Sequence, residues 1–184
     1  LNRLLSLLDI KPNQFAQLCF GKDQSRYTRF EISKRRKGQK RVILAPTKPL
    51  KEVLARLNQK FHDSFDPTPC SHGFIKERSI VTNAALHVSS KWVLNIDLNN
   101  FFPSITENRV FGALLNWSDF MNKWGLVKQD AFLLARLCCH QGSLPQGAPT
   151  SPLLANLVSR SLDRNLIRFA KSKKMTVSRY ADDI

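Results

Sequence analysis

The chain has 184 residues, and 29 Lys plus Arg against 14 Asp plus Glu give a net charge of +15 with the four His neutral. A 42% hydrophobic fraction supplies material for a core, which excludes a chain disordered throughout and suits one domain or two small ones. No run approaches the roughly 18 to 20 apolar residues of a membrane span, and no signal-peptide cleavage pattern follows Leu1-Asn2-Arg3-Leu4-Leu5, so a soluble, unsecreted protein without a membrane partner is expected.

Cys19, Cys70, Cys138 and Cys139 form no C-x-x-C pair, so reduced thiols in a cytoplasm are expected. The chain begins without Met and stops at Ile184 just after a charged cluster, and both ends read as cuts.

Leu4-Leu5-Leu7-Leu8 and Phe15-Leu18-Cys19, separated by Lys11-Pro12-Asn13, predict two short helices. Tyr27 to Ile32 and Lys40 to Leu44 predict two strands joined by a basic tip, residues 34–39, whose Gly38 suits a hairpin. A helix follows from Lys48 to about Phe65, with Leu50, Val53, Leu54 and Leu57 at helical spacing, and then a loop through Gly73. Between Arg26 and Lys60, twelve basic residues stand against only Glu31 and Glu52, a density that points to a polyanion, with nucleic acid first, ahead of plain solubility or a membrane surface.

Val81 to Ser89 predicts another helix, and Trp92 to Leu98 a buried strand that carries Asp97 near its end. Helices are expected at 107–116 and 128–140, a loop at 142–149, and a helix from Pro152 to about Ala170 with Arg160, Arg164 and Arg168 at four-residue intervals. Met175 to Arg179 reads as a strand entering Tyr180-Ala181-Asp182-Asp183. If the two carboxylate-bearing strands are neighbours, Asp97, Asp182 and Asp183 share one site. Such a cluster suits hard divalent cations, and two of them about 4 Å apart support in-line phosphoryl transfer. Beside a basic surface this suggests nucleotidyl transfer or nucleic-acid hydrolysis, although an Asp-Asp pair at a turn is also a common solvated turn or helix cap.

Four blocks in order sharpen the reading: Lys40-Arg41-Val42-Ile43-Leu44-Ala45-Pro46, the run from Asn95 to Ile105, the run from Leu144 to Pro152, and Tyr180-Ala181-Asp182-Asp183. With them the sequence resembles reverse transcriptases from about Tyr27 to Ile184, and Asn83-Ala84-Ala85-Leu86-His87 makes it look most like the bacterial retron type, with group II intron-like relatives as the alternative. The resemblance implies an α+β right-hand polymerase with fingers, an antiparallel palm sheet and the thumb missing from this chain. The expected division is a helical extension at 1–26, fingers at 27–91 and 113–146, and palm at 92–112 and 147–184.

It further implies that Asp97, Asp182, Asp183 and the Leu98 carbonyl hold two Mg²⁺ ions. Arg41 and Lys34 would contact the triphosphate of an incoming deoxynucleotide, Phe102 would exclude a ribose 2′-hydroxyl with Phe101 as core, and Gln146 would lie against the nucleotide. Pro149 and Ser151 would begin the helix that supports template and primer, Tyr180 would pack beneath the primer end, Arg160, Arg164 and Arg168 would touch nucleic-acid phosphates or form a solvated helix face, and Asn83 and His87 would bind the noncoding RNA or cap and brace a helix. The implied activity is RNA-directed DNA synthesis on a noncoding RNA template-primer, started from a 2′-hydroxyl, with a DNA product and an effector protein of antiphage defence as partners. The runner-up is a polymerase-derived RNA-binding or scaffolding module with a vestigial site.

Overall fold

The computed structural model describes residues 1–22, 26–33 and 40–184, with Arg41 described in its backbone alone. In chain order the elements are α1 (Asn2–Leu8), α2 (Pro12–Phe20), β1 (Tyr27–Ser33), β2 (Lys40–Pro46), α3 (Lys48–His62), α4 (Ile80–Ala85), α5 (Phe101–Ser104), α6 (Glu107–Leu115), α7 (Ser118–Lys123), α8 (Lys128–Cys138) and α9 (Ser151–Ser172). Helices with one small antiparallel sheet make an α+β fold. None of these helices is long and apolar enough to cross a membrane. The chain forms two compact units, one of Leu1–Phe65 with Phe102–Ser151 and one of Asp66–Phe101 with Pro152–Ile184.

The first unit is built on apolar stripes. Along α3, Leu50, Val53, Leu54, Leu57 and Phe61 follow the helical period, and all are buried. Phe61 meets the rings of Trp117 at 5.6 Å and Phe120 at 5.0 Å, which closes an aromatic cluster at the start of α7. Pro12 opens α2, where its missing N–H costs nothing, and Leu4, Leu5, Leu7 and Leu8 bury the face of α1. Strands β1 and β2 pair antiparallel from Tyr27 opposite Pro46 to Ser33 opposite Lys40, and β1 is exposed beyond its first residue.

The root of this ribbon is anchored. Tyr27 is buried with its ring 4.4 Å from that of His140, and the buried Arg26 guanidinium donates through Nη2 to the carbonyls of Arg136, Leu137 and Cys139 at the end of α8. A cation at a helix C-terminus satisfies the carbonyls that the helix leaves without partners.

In the second unit the loop after Asp66 is tied down by Arg78, whose Nη1 donates to the carbonyls of Thr68 at 2.7 Å and of Ser71. A reciprocal capping box between Ser79 and Thr82 starts α4. The expected helix over 81–89 is shorter, with α4 ending at Ala85 and turns running on to Ser89. No residue of α4 is buried, so packing does not extend it.

Two expected strands are corrected. Trp92 to Leu98 is an extended, exposed segment, with Trp92 85% and Leu94 73% accessible, and Met175 to Ser178 has no ladder. β-Branched composition marks a residue's fitness for a sheet, but a strand also requires a neighbour along its length. Here the hydrogen-bonded neighbours cover only the ends of the two segments.

All four cysteines are free and buried. Burial pushes Cys19 and Cys138 up to about 12 and raises Cys70 and Cys139 as well. The thiolate is the reactive form. A thiol reagent at pH 8 is therefore expected to find no fast-reacting cysteine in the native chain and four after denaturation. Rapid labelling of the native chain, read by absorbance, would contradict this packing.

Candidate active site

Tyr180 and Asp183 close a two-residue hairpin, with Tyr180 N donating to Asp183 O at 2.8 Å and Asp183 N to Tyr180 O at 3.0 Å. Ala181 has φ of 57° while Asp182 stays at negative φ, the signs of a type II′ turn, whose first position glycine normally takes. An alanine there costs about 1 kcal/mol or more, so the surrounding contacts must hold the turn.

The returning arm pairs with the segment that carries Asp97. Ile96 and Ile184 exchange both hydrogen bonds, at 2.8 and 2.9 Å, and Leu98 N donates to Asp182 O at 2.9 Å. This antiparallel register sets Asp97 directly opposite Asp183. Directly opposed residues of an antiparallel pair project their side chains from the same face.

Asp183 is held above the usual carboxylate range by burial first and then by the charges of Asp182 and Asp97. Among the described residues no ion pair relieves any of the three. Among the described residues no three His, Cys, Asp or Glu side chains, these aspartates included, form a group that could hold a metal ion. The donor type is carboxylate oxygen, which suits Mg²⁺ completed by waters and substrate phosphates and not the Cys and His set of a structural zinc site.

The hairpin rests on the loop at 70–73. Arg179 N donates to Cys70 O and His72 N to Arg179 O, both at 2.7 Å, as a parallel bridge between Ser71 and Arg179. A Cβ on Gly73 would stand 2.5 Å from Ala181 N, so only glycine permits this approach. Gly73 was absent from the site expected from sequence, where it marked only the end of a loop. Tyr180 lies beside Phe74, with ring centroids 6.3 Å apart. His87 Nε2 is 2.8 Å from Ser178 Oγ, which ties the segment after α4 to the arm entering the hairpin, and Asn83 is half-buried on α4.

Arg41, Phe102, Gln146, Pro149 and Ser151 fall in the first unit, and Phe101, Arg160 and Arg164 in the second. Lys34 and the Arg41 side chain lie outside the described residues, while the Arg41 backbone pairs opposite Ile32. Phe101 is buried and Phe102 half-buried, as expected for a core ring beside a more accessible one. Gln146 is half-buried, and its carbonyl accepts from Leu44 N at 2.9 Å. Gly147, at φ of 133°, lies so close to β2 that a Cβ would stand 2.8 Å from Leu44 O.

Ser151 begins α9, as expected. It is 1% exposed and donates its hydroxyl to Pro145 O at 2.7 Å, so the hydroxyl is engaged in shaping the loop before the helix. Pro149 is half-buried. On α9 Arg160 is half-buried and Arg164 and Arg168 are exposed.

A family model described as Reverse transcriptase (RNA-dependent DNA polymerase) matches residues 32–184. Among curated proteins the chain is 38% identical over 144 residues to the Retron Ec86 reverse transcriptase of Escherichia coli, covering 78% of this chain and 43% of that protein. It is 36% identical over 176 residues to the Retron Mx65 enzyme of Myxococcus xanthus, covering 86% and 39%, and 34% identical over 176 residues to Retron Mx162 of the same organism, covering 86% and 35%. The chain thus spans less than half the length of these relatives.

Two outcomes follow from this geometry. Native Asp183 binds its proton more tightly than the unfolded chain does, so stability falls as pH rises from the ordinary carboxylate pKa through the raised one, and the penalty persists above it. Asp183→Asn is expected to raise Tm at pH 7 by about 1 to 2 °C, the scale of a screened surface charge, with the gain vanishing in acid and MgCl₂ stabilising the variant less than the parent. A Tm lower than the parent's at pH 7 would contradict the repulsion. Gly147→Ala is expected to cost about 1 to 3 kcal/mol in urea unfolding, because the residue is strained at positive φ and meets the Leu44 carbonyl.

Proposed function

Because the chain belongs to the reverse transcriptase family, in its bacterial retron type, we propose that within the full-length protein it carries the polymerising site of an RNA-directed DNA polymerase. Its substrates are deoxynucleoside triphosphates and a noncoding RNA that serves as template and primer, and its product is single-stranded DNA. The observation that carries this reading is the register that sets Asp97 opposite Asp183 next to Asp182, with Asp183 raised by burial first and then by the charges of its two neighbours. Carboxylates with uncompensated charge are ready to accept cations and the phosphates that accompany them.

When bound, two Mg²⁺ ions held by Asp97, Asp182, Asp183 and the Leu98 carbonyl supply charge neutralisation at the reacting phosphate and a more acidic primer hydroxyl. Arg41 and Lys34 hold the triphosphate, Arg41 by the two-pronged geometry of its guanidinium. Gln146 lies against the nucleotide, and the half-buried ring of Phe102 leaves no volume for a ribose 2′-hydroxyl. The primer oxygen bonds to the α-phosphorus, pyrophosphate leaves, and the hydroxyl proton passes to solvent. Tyr180 supports the primer end, Arg160 and Arg164 contact phosphates, and Pro149 shapes the nucleotide side of its loop.

In this reading residues 27–91 and 113–146 are fingers and 92–112 and 147–184 palm. The three crossings of the chain between its compact units support such an interleaved plan, although the loop and α4 at 66–91 group with the carboxylate-bearing unit. Priming from an RNA 2′-hydroxyl, a role in antiphage defence with an effector protein, and residence in a reducing cytoplasm belong to the same proposal. They are supported by the retron relatives, by Asn83 and His87 in their motif, and by four free thiols. Asn83 and His87 contribute by bracing the arm that enters the hairpin and by contacting the RNA.

The test is deoxynucleotide incorporation by the full-length protein with its neighbouring noncoding RNA and Mg²⁺. The Asp182→Asn, Asp183→Asn double variant is expected to lose at least about a thousandfold in rate, the scale of removing a catalytic electrostatic group. Tight RNA binding with no Mg²⁺-dependent incorporation in the native protein would identify the RNA-binding or scaffolding module instead.

A further inference from the structure

The turn that carries Asp182 and Asp183 is held by a cation that no solvent reaches. Arg179 is 0% exposed. Its Nε and Nη2 donate to Asp163 Oδ1 and Oδ2 at 2.7 and 2.9 Å, its Nη2 also reaches Ser71 Oγ at 3.2 Å, and its Nη1 donates to Ala181 O at 2.9 Å. Asp163 is equally buried on α9 and takes a further bond from Thr68 Oγ1 at 2.6 Å. Ser71 Oγ donates to Asn156 Oδ1 at 3.2 Å, and Asn156 Nδ2 donates to Gly73 O at 2.8 Å, so α9 grips the loop at 68–73 and the hairpin root through one connected network.

Stability alone does not account for this arrangement. A buried ion pair recovers in attraction roughly what it loses in desolvation, and a well-packed apolar pair of the same volume is often as stable or more so. An apolar pair cannot donate to the Ala181 carbonyl. That carbonyl belongs to the peptide leading into Asp182, and it follows the one residue of the turn at positive φ. Lysine is no substitute, because its single ammonium cannot span both Asp163 oxygens and the carbonyl in one plane.

We infer that the Arg179–Asp163 pair is a positioning device for the carboxylate hairpin, fixing the Ala181–Asp182 peptide and through it the presentation of Asp182 and Asp183 to a divalent cation. The inference rests on the reading of these carboxylates as metal ligands. Arg179 touches neither metal nor substrate. It acts through the turn, as the partners of ligating residues do when they fix ligand orientation.

The experiment uses the full-length protein and Mn²⁺ as the probe, with the free ion counted by electron paramagnetic resonance. Amide hydrogen exchange over Tyr180–Ile184 and Tm are measured alongside. Arg179→Lys is expected to weaken Mn²⁺ binding about tenfold or more and to lose protection at the Asp183 amide while the rest of the chain keeps its exchange pattern. In single-turnover incorporation kcat falls while KM for the deoxynucleotide stays put. Should Arg179→Lys fail to fold, the paired Arg179→Met, Asp163→Leu variant replaces the ion pair by apolar volume and must show the same losses in a folded protein.

Wild-type Mn²⁺ affinity or unchanged Asp183 protection in either folded variant overturns the positioning role. A native protein that binds no Mn²⁺, or binds it equally after Asp182→Asn and Asp183→Asn, overturns the underlying reading of the site and the metal-presenting role with it.

Discussion

The charges of Asp182 and Asp97 bear on Asp183 across one short backbone pairing, and no cation among the described residues is paired to any of the three. That repulsion is the constraint around which the second unit is organised. The backbone bonds of Ile96 with Ile184 and of Leu98 with Asp182, and the contacts beneath the turn, keep the charged groups together. Backbone hydrogen bonds are indifferent to side-chain charge, so they can impose a register that the side chains resist. The loop at 70–73 lies close enough to the turn to exclude even a methyl group at Gly73, and the buried polar network from α9 reaches the same point.

The first unit solves a different problem. It holds the β1–β2 ribbon at its root. Arg26 caps the carbonyls at the end of α8, Tyr27 packs on His140, and Leu44 N donates to the carbonyl of Gln146, so α8, the loop at 144–149 and the ribbon are joined by one guanidinium, one ring pair and one backbone bond. Buried guanidinium groups recur in both units with the same economy, one satisfying a helix terminus and one fixing a turn. Each is a planar donor that meets several oxygens at once.

Family membership and site geometry contribute different things to the functional proposal. The match over residues 32–184 gives the chain its family, and the relatives give it its retron type. The physical reason for polymerase chemistry comes from the carboxylates, whose opposed register leaves negative charge uncompensated where cations and phosphates can meet it. The strongly basic balance of the chain supplies long-range attraction for a polyanion.

Most helices were legible in the sequence, because α3, α6, α8 and α9 announce themselves by apolar residues three and four apart, by Pro at the start, or by both. So were the two strands of the ribbon, each bounded as its apolar and β-branched residues suggest. Composition misled at Trp92–Leu98, where β-branched and apolar residues predict a buried strand and the segment is exposed over most of its length.

What the tertiary structure alone decided is non-local: the register that opposes Asp97 to Asp183, the close approach that demands Gly73, and the pairing of Arg179 with an aspartate on another element. A sequence fixes local preference through side-chain shape and spacing. Which distant groups share a hydrogen bond depends on how whole segments stack, and an arginine before a turn reads as one more surface charge until its partner is in place.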